Sequence, residues 1–179
     1  MVGLTGARRG ERIRTGSRST DYLLAQQDDP DLERARLSLL QDRHDPLTAA
    51  QLDAIGVLEG WRCLDVGAGA GSVTLMLAER VGSTGSVLAV DLDTSLLEPL
   101  ATDQIETRRS DFLADPLPQG AFDLVHARLV LIFLPSRLAA ISPLSAAARP
   151  GGWVAMMEPD FRTPFVGRAG RPCWCDVLV

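Results

Sequence analysis

The sequence contains no lysine, so arginine supplies all 18 of its basic side chains. P-loop nucleotide hydrolysis and Schiff-base catalysis both depend on a lysine amine, and the absence of lysine excludes both classes. It also excludes the tyrosine and lysine pair of short-chain dehydrogenases. Exclusive use of arginine is typical of a GC-rich genome, and we expect a bacterial source.

Cysteine and histidine are scarce as well, with three cysteines and two histidines in 179 residues. Cys63 lies in an apolar run and is expected to be a small buried side chain. Cys173 and Cys175 have the wrong spacing for a zinc ribbon or a thioredoxin-like motif. The sequence therefore predicts no metal site and no disulfide framework, and it favours a reducing, cytoplasmic compartment.

Long apolar runs are missing too, since the longest is Leu129–Leu134. A membrane span needs about 20 apolar residues, and a secretory signal needs an apolar segment near the start of the chain. We therefore expect no membrane partner. The net charge of −5 gives no general electrostatic reason to bind nucleic acid.

The first 20 residues differ from the rest. Five arginines and one glutamate give them a charge of +4, so residues 21–179 carry −9. The segment is rich in glycine, serine and threonine, a composition that favours a disordered arm. A transit peptide and a misassigned start codon are the alternatives for residues 1–20.

The most informative feature present is the segment Cys63–Ser72. An apolar run typical of a buried strand ends in three alternating glycines, Gly67, Gly69 and Gly71, and apolar positions then recur at helical spacing. Glycine allows a ligand to approach the backbone closely and adopts positive φ without strain. The pattern predicts a strand, a ligand-binding loop and a helix, although a tight turn alone would also use these glycines.

The glycine spacing narrows the choice of ligand. A dinucleotide fingerprint reads G-x-G-x-x-G, whereas this loop reads G-x-G-x-G with Ser72 at the position of the third glycine. Asp65, two residues before Gly67, would repel a pyrophosphate but could hold a cationic ligand. The D-x-G-x-G-x-G pattern resembles the first motif of class I S-adenosylmethionine-dependent methyltransferases.

The resemblance extends along the chain to Trp153, and its order of elements is similar to ubiquinone and menaquinone biosynthesis methyltransferases. It implies an α/β fold with a Rossmann-like, doubly wound sheet of strand order 3-2-1-4-5. The five strands are expected near residues 62–67, 86–91, 105–109, 122–128 and 153–158. Because only nineteen residues follow Asp160, we expect strands 6 and 7 to be missing and strand 5 to be an exposed edge. Self-association through strand 5 is the consequence that we expect.

The resemblance also implies the cofactor, S-adenosylmethionine, and the residues around it. Asp91, at the end of strand 2, would accept hydrogen bonds from the ribose diol, and Asp111 would accept one from the adenine amino group. Phe112 is either a wall beside the adenine or plain core, and Arg128 is either a surface charge or a contact of the methionine end. The expected cofactor-binding set is Asp65, Gly67, Ala68, Gly69, Gly71, Asp91, Leu92, Asp111, Phe112 and Arg128.

Four segments are expected: an arm at 1–20, a helical lead at 21–60, the S-adenosylmethionine-binding domain at 61–160 and an irregular tail at 161–179. In the lead, Leu32, Ala35, Arg36, Leu39 and Leu40 form an apolar stripe at helical spacing. Thr48 can cap a second helix that continues to Gly56.

The function expected from the resemblance is in-line methyl transfer to an oxygen, nitrogen or carbon atom of a small-molecule acceptor. No catalytic residue is established; His126 is the candidate base, but it is also the usual residue of this strand in the family. Many relatives have a Glu-His pair where this chain has Ile132-Phe133. A truncated, non-catalytic remnant that binds the cofactor is the first alternative, and a nucleotide-dependent Rossmann oxidoreductase is the second.

Overall fold

The computed structural model describes residues 30–159. The arm predicted at 1–20, the tail predicted at 161–179 and two of the three cysteines, Cys173 and Cys175, lie outside the described residues. The order of elements is α1 (Pro30–Ile55), β1 (Arg62–Val66), α2 (Ser72–Val81), β2 (Ser86–Asp91), β3 (Ile105–Arg109), β4 (Phe122–Arg128), α3 (Arg137–Ala147) and β5 (Ala148–Met157). Short 3₁₀ turns precede β3 and α3, at Glu98–Leu100 and Leu131–Phe133.

The five strands form one parallel sheet in the order β3-β2-β1-β4-β5, as predicted. Strands of a parallel sheet that is covered on both faces are buried along nearly their whole length, and β1, β2 and β4 follow this pattern. β1 and β4 each include a buried polar residue, Asp65 and His126. Among the described residues, β5 and β3 are the two edges. The expected absence of strands 6 and 7 concerns residues outside this range, so an exposed β5 edge and self-association through it stay predictions.

Each face of the sheet is covered by its own apolar cluster. On one face, α3 packs Ala140 and Leu144 against strand residues such as Leu64 and Val125. On the other face, Leu52 of α1 and Leu77 of α2 pack with further strand residues, among them Cys63. Cys63 is buried, as predicted, and burial raises the pKa of its thiol to about 12.

Strand β5 begins earlier than predicted, at Ala148 rather than near residue 153. The pairing with β4 is irregular at its start, because Phe122 pairs with Ala148 whereas Leu124 pairs with Trp153. The segment Arg149–Gly152, which precedes the range expected for strand 5, lies in this irregularity. A bulged strand places extra residues opposite one partner residue, and sequence periodicity does not reveal such an insertion.

The prediction of two lead helices is wrong, because residues Pro30–Ile55 form one helix that runs through Pro46. Thr48 does not cap a helix start. Its hydroxyl donates to the His44 carbonyl oxygen one turn earlier at 3.2 Å, an alternative that threonine has inside a helix.

The face of α1 that packs on the domain also differs from the predicted apolar stripe. Leu32 and Leu39 are exposed, the latter by 72%. The buried residues of α1 are instead His44, Thr48, Gln51 and Leu52, three of which are polar. Within residues 30–159, no helix is both long enough and apolar enough to cross a membrane.

Candidate functional site

A cleft opens at the carboxyl ends of the central strands. Its volume is about 330 Å³ with the solvent at its mouth included. In an open parallel sheet, ligands bind at this edge, where the strand order reverses. Here the chain proceeds from β1 to β2 and β3 on one side and then crosses to β4 and β5 on the other side of β1. The lining residues are Val66, Gly67, Val90, Asp91, Leu92, Ser110, Asp111, Phe112, Val130 and Leu134.

The glycine loop forms one wall of the cleft, and the geometry at its first position requires glycine. Gly67 has φ of 67°, and a side-chain carbon at this position would overlap the Cγ2 methyl of Val130. The Gly67 and Ala68 N–H groups both donate to the Val90 carbonyl oxygen, at 2.8 and 3.2 Å. The loop is therefore fixed to the end of β2 by its backbone.

The other two glycines lie outside the cleft lining but complete the loop. Gly71 precedes α2 with φ of 82°, and a side chain there would overlap Leu100 of the 3₁₀ turn. Gly69 lies beside Leu37 of α1, so the helical lead passes over the loop.

Asp91 lies at the end of β2 and joins the loop to the cleft. Its Oδ2 accepts the Gly69 N–H at 2.8 Å, and its Oδ1 accepts the Asp93 N–H at 3.2 Å. Burial raises the pKa of the Asp91 carboxyl, although the N–H groups of Gly69, Asp93 and Leu92 act in the opposite direction. The result is a carboxylate held at the cleft wall.

The loop after β3 contributes Asp111 and Phe112. Asp111 Oδ1 accepts the Leu113 N–H at 3.0 Å, and the Asp111 N–H donates to Asp115 Oδ2 at 3.0 Å. Asp115 thus organises the turn that presents Asp111 to the cleft. Phe112 lines the cleft and also belongs to the apolar cluster beneath it, and its role beside an adenine stays a prediction.

Asp65 and His126 lie away from the cleft. They are register partners on β1 and β4, and their side chains are 2% and 0% exposed. Asp65 Oδ2 accepts the Thr74 hydroxyl at 2.7 Å, and Asp65 Oδ1 lies 3.5 Å from His126 Nδ1. Since side chains alternate along a strand, the pair points toward α2 and not into the cleft that Val66 lines. In this arrangement His126 does not reach a molecule in the cleft.

Arg128, at the end of β4, connects three elements. Its Nη1 donates to Asp45 Oδ1 at 2.8 Å and to Thr48 Oγ1 at 2.9 Å, and its Nη2 donates to Ser72 Oγ at 2.9 Å. Ser72 Oγ in turn donates to Asp45 Oδ1 at 2.9 Å. The side chain of Arg128 is only 11% exposed, which excludes the surface-charge interpretation.

The most conspicuous residue missed by the sequence analysis is Glu158. Its carboxylate accepts three consecutive backbone N–H groups of the segment after β4, and that segment supplies Val130 and Leu134 to the cleft. An acid at the end of an apolar strand, as for Asp65 and Asp91, was the signal that could have identified it. Ser110, Val130 and Leu134 also line the cleft without having been predicted.

Comparison with known proteins agrees with this architecture. A family model described as "Methyltransferase domain" matches residues 64–156, just over half of the chain. The chain belongs to this methyltransferase family. The match runs from β1 into β5 and includes every residue that lines the cleft.

The curated relatives that this chain resembles include demethylmenaquinone methyltransferases. The demethylmenaquinone methyltransferase of Staphylococcus aureus strain MRSA252 is 30% identical over 109 residues, 58% of this chain and 45% of that protein. The chain thus spans less than half the length of this curated relative.

Solved structures of methyltransferases share the fold. A SAM dependent methyltransferase from Aquifex aeolicus has a TM-score of 0.57 and 26% identity, covering 66% of both chains. Haemonchus contortus phosphoethanolamine N-methyltransferase 2, solved in complex with S-adenosyl-L-methionine, has a TM-score of 0.55 and 25% identity over 61% of this chain and 27% of that one.

Proposed function

We propose that this chain is an S-adenosylmethionine-dependent methyltransferase acting on a small-molecule acceptor. The observation that carries the proposal is the convergence of the Gly67 loop, the Asp91 carboxylate and the Asp111–Phe112 turn in one cleft at the carboxyl edge of the sheet. The domain family and the complex of the Haemonchus relative with this cofactor support the same conclusion.

The groups in the cleft fit an adenosine. A carboxylate offers about four acceptor positions, and Asp91 uses two of them for the Gly69 and Asp93 N–H groups, so acceptor capacity remains for a ribose diol. Asp111 is an acceptor for the adenine amino group, and Phe112, Val130 and Leu134 are apolar walls for the ring. The glycine backbone allows close approach of the ligand at Gly67.

The other end of the cofactor is assigned to the region of Arg128. This guanidinium, with Ser72 beside it, is the cationic group at the end of β4 that suits an amino-acid carboxylate. Asp45 of α1 now accepts hydrogen bonds from both Arg128 and Ser72. We infer that the carboxylate of the bound cofactor accepts from Arg128 and Ser72, either beside the Asp45 carboxylate or in its place. Helix α1, which carries Asp45, then covers the ligand.

S-adenosylmethionine supplies a methyl group on a sulfonium, which is already electrophilic. The task of the protein is therefore to align the acceptor in line with that methyl group and to exclude water, which can contribute effective molarities of about 10⁵ M or more. Since His126 has no exposed surface, we assign no side-chain base to the transfer. An oxygen, nitrogen or carbon nucleophile remains compatible with this chemistry.

The first test is calorimetric titration with S-adenosylhomocysteine, the product form of the cofactor, using the wild-type chain, Asp91→Ala and Asp103→Ala. Asp103 is an exposed acid before β3 and is the matched control. Loss of two charge-assisted hydrogen bonds should weaken binding about 100-fold in Asp91→Ala and leave Asp103→Ala unchanged. Circular dichroism establishes that all three are folded.

A folded wild-type chain that binds no S-adenosylhomocysteine would contradict the proposal. Binding without transfer would instead favour the non-catalytic alternative. The transfer assay follows incorporation of a labelled methyl group into a demethylated quinol, the acceptor class suggested by the name of the Staphylococcus relative.

A further inference from the structure

The segment that follows β4 has a backbone conformation that needs external support. Leu129 has φ of 56°, the only positive value for a non-glycine residue among residues 30–159. For a branched side chain this conformation costs of the order of 1 kcal/mol or more and persists only where its surroundings impose it. The strain lies between Arg128 and the cleft residue Val130.

The end of β5 provides that support on two sides. The Leu129 N–H donates to the Met157 carbonyl oxygen at 2.8 Å. The next three N–H groups, of Val130, Leu131 and Ile132, donate to the Glu158 carboxylate at 2.9, 2.8 and 3.1 Å. These N–H groups begin a 3₁₀ turn, where backbone donors lack partners within the turn and a carboxylate complements their dipoles.

The supported segment is a wall of the cleft. Val130 and Leu134 line it, and the Cγ2 methyl of Val130 occupies the space that a side chain at Gly67 would need. A shift of the segment would therefore open the contact between the post-β4 turn and the glycine loop.

We propose that Glu158 is a positioning residue for ligand binding, which acts by fixing residues 129–134 so that Val130 seats against the glycine loop and Leu134 lines the cleft. The ligand used to test it, S-adenosylhomocysteine, comes from the proposed function above. The hydrogen bonds themselves can be tested independently of that function.

A carboxylate suits this task better than its neutral analogue. Glu158 Oε1 accepts from Val130 and Leu131, and Oε2 accepts from Ile132. In Glu158→Gln the amide oxygen can still accept from the Val130 and Leu131 N–H groups. The amide nitrogen, however, is a donor and would face another N–H group. In Glu158→Ala all three N–H groups lose the carboxylate acceptor.

The binding test compares Glu158→Gln and Glu158→Ala with Asp123→Asn. Asp123 also accepts a backbone N–H, that of Arg62 at 2.7 Å, but lies at the amino ends of the strands, away from the cleft. We expect about tenfold weaker binding of S-adenosylhomocysteine for Glu158→Gln, a larger loss for Glu158→Ala and wild-type affinity for Asp123→Asn. Wild-type affinity of a folded Glu158→Gln, or equal weakening by Asp123→Asn, would overturn the proposal.

The second test needs no ligand. Burial raises the pKa of the Glu158 carboxyl, against the effects of the three N–H groups and the charge of Arg137. In ¹⁵N-labelled wild-type protein, the amide resonances of Val130, Leu131 and Ile132 should shift together with one midpoint above the ordinary glutamate range. Three amides that ignore pH, or that titrate unchanged in Glu158→Gln, would refute the positioning role, whereas absence of ligand binding by the wild type would refute only the proposed function.

Discussion

The two halves of the carboxyl edge of the sheet are assembled in different ways. On the β1, β2 and β3 side, the acids accept hydrogen bonds from their own turns and from the glycine loop, as when Asp111 accepts from Leu113 and Asp91 accepts from Asp93 and Gly69. On the β4 and β5 side, Arg128 donates to Asp45 from 83 residues away and Glu158 accepts from Val130 across 28 residues. The first half is visible as sequence motifs, and the second exists only after the chain has folded.

The largest effect is expected from Gly67→Ala, which breaks the contact between the two halves. Gly67→Ala places a side chain at positive φ and against Val130, and the conformational cost of about 1–2 kcal/mol adds to an overlap cost of about 1–3 kcal/mol. We expect unfolding in urea to show a loss of about 2–5 kcal/mol, together with loss of S-adenosylhomocysteine binding.

Gly120→Ala is the matched control for Gly67→Ala. Gly120 has φ of 58°, but within residues 30–159 no atom apart from those of its chain neighbours lies within 4 Å of the position of the added carbon. It should lose about 1 kcal/mol and keep ligand affinity. Because Val130 is itself buried, the overlap is measured against Val130→Ala, in which background Gly67→Ala should cost only the conformational part. Equal losses at the two glycines would show that Val130 does not constrain the loop.

The different construction of the two halves explains how much the sequence predicted. Strand order, the glycine loop and the acids Asp91 and Asp111 follow from apolar runs ending in glycine or acid, and the structure brings these residues to one cleft. The fold and half of the site were therefore predictable from local pattern.

The half of the site on the β4 and β5 side was not predictable from local sequence pattern, for physical reasons. Nothing near Glu158 in the sequence indicates that its partners are the N–H groups after β4, because pairing of β4 with β5 creates the contact. Asp65 was assigned to a ligand from its position alone, but strand alternation and Thr74 direct it into the interior. The sequence predicts two lead helices because a threonine hydroxyl can either cap the start of a helix or donate to the carbonyl oxygen one turn earlier in a continuous helix.

A smaller effect is expected from the connection between α1 and β4. Arg128→Ala, Asp45→Ala and the double variant form a cycle whose coupling measures the ion pair. Because Arg128 is nearly buried, we expect a coupling of about 1–2 kcal/mol. The pair Arg80 and Asp53 has the same 2.8 Å separation on a more exposed surface, and its coupling should stay below about 1 kcal/mol. Equal couplings would mean that burial adds nothing to the Arg128 pair.

The pH dependence of stability should have opposite signs for acids at the two ends of the strands. Burial raises the folded-state pKa of Asp91, so its contribution is fully present below its unfolded pKa of about 4 and is lost as pH rises through the folded value. Burial also acts to raise the pKa of Asp123, but hydrogen bonds from Arg62 and Arg149 outweigh it and lower that pKa. Its contribution is present above about pH 4 and is lost as pH falls through the folded value.

Urea unfolding at about pH 3 and about pH 7 separates the two acids. Relative to wild type, Asp123→Asn should lose more stability at the higher pH, and Asp91→Asn should lose less there than at the lower pH. The same pH trend in both variants would contradict the assigned directions.

The smallest expected effect concerns the outer face of α1. Leu39 belongs to the predicted apolar stripe but is 72% exposed, whereas Leu52 on the same helix has no exposed surface. Leu39→Ala should change the free energy of unfolding by less than about 0.5 kcal/mol, and Leu52→Ala should cost about 2–5 kcal/mol. A similar loss at both positions would show that α1 is rotated about its axis. In that case Asp45 would no longer face Arg128, and α1 would not join the two halves of the site.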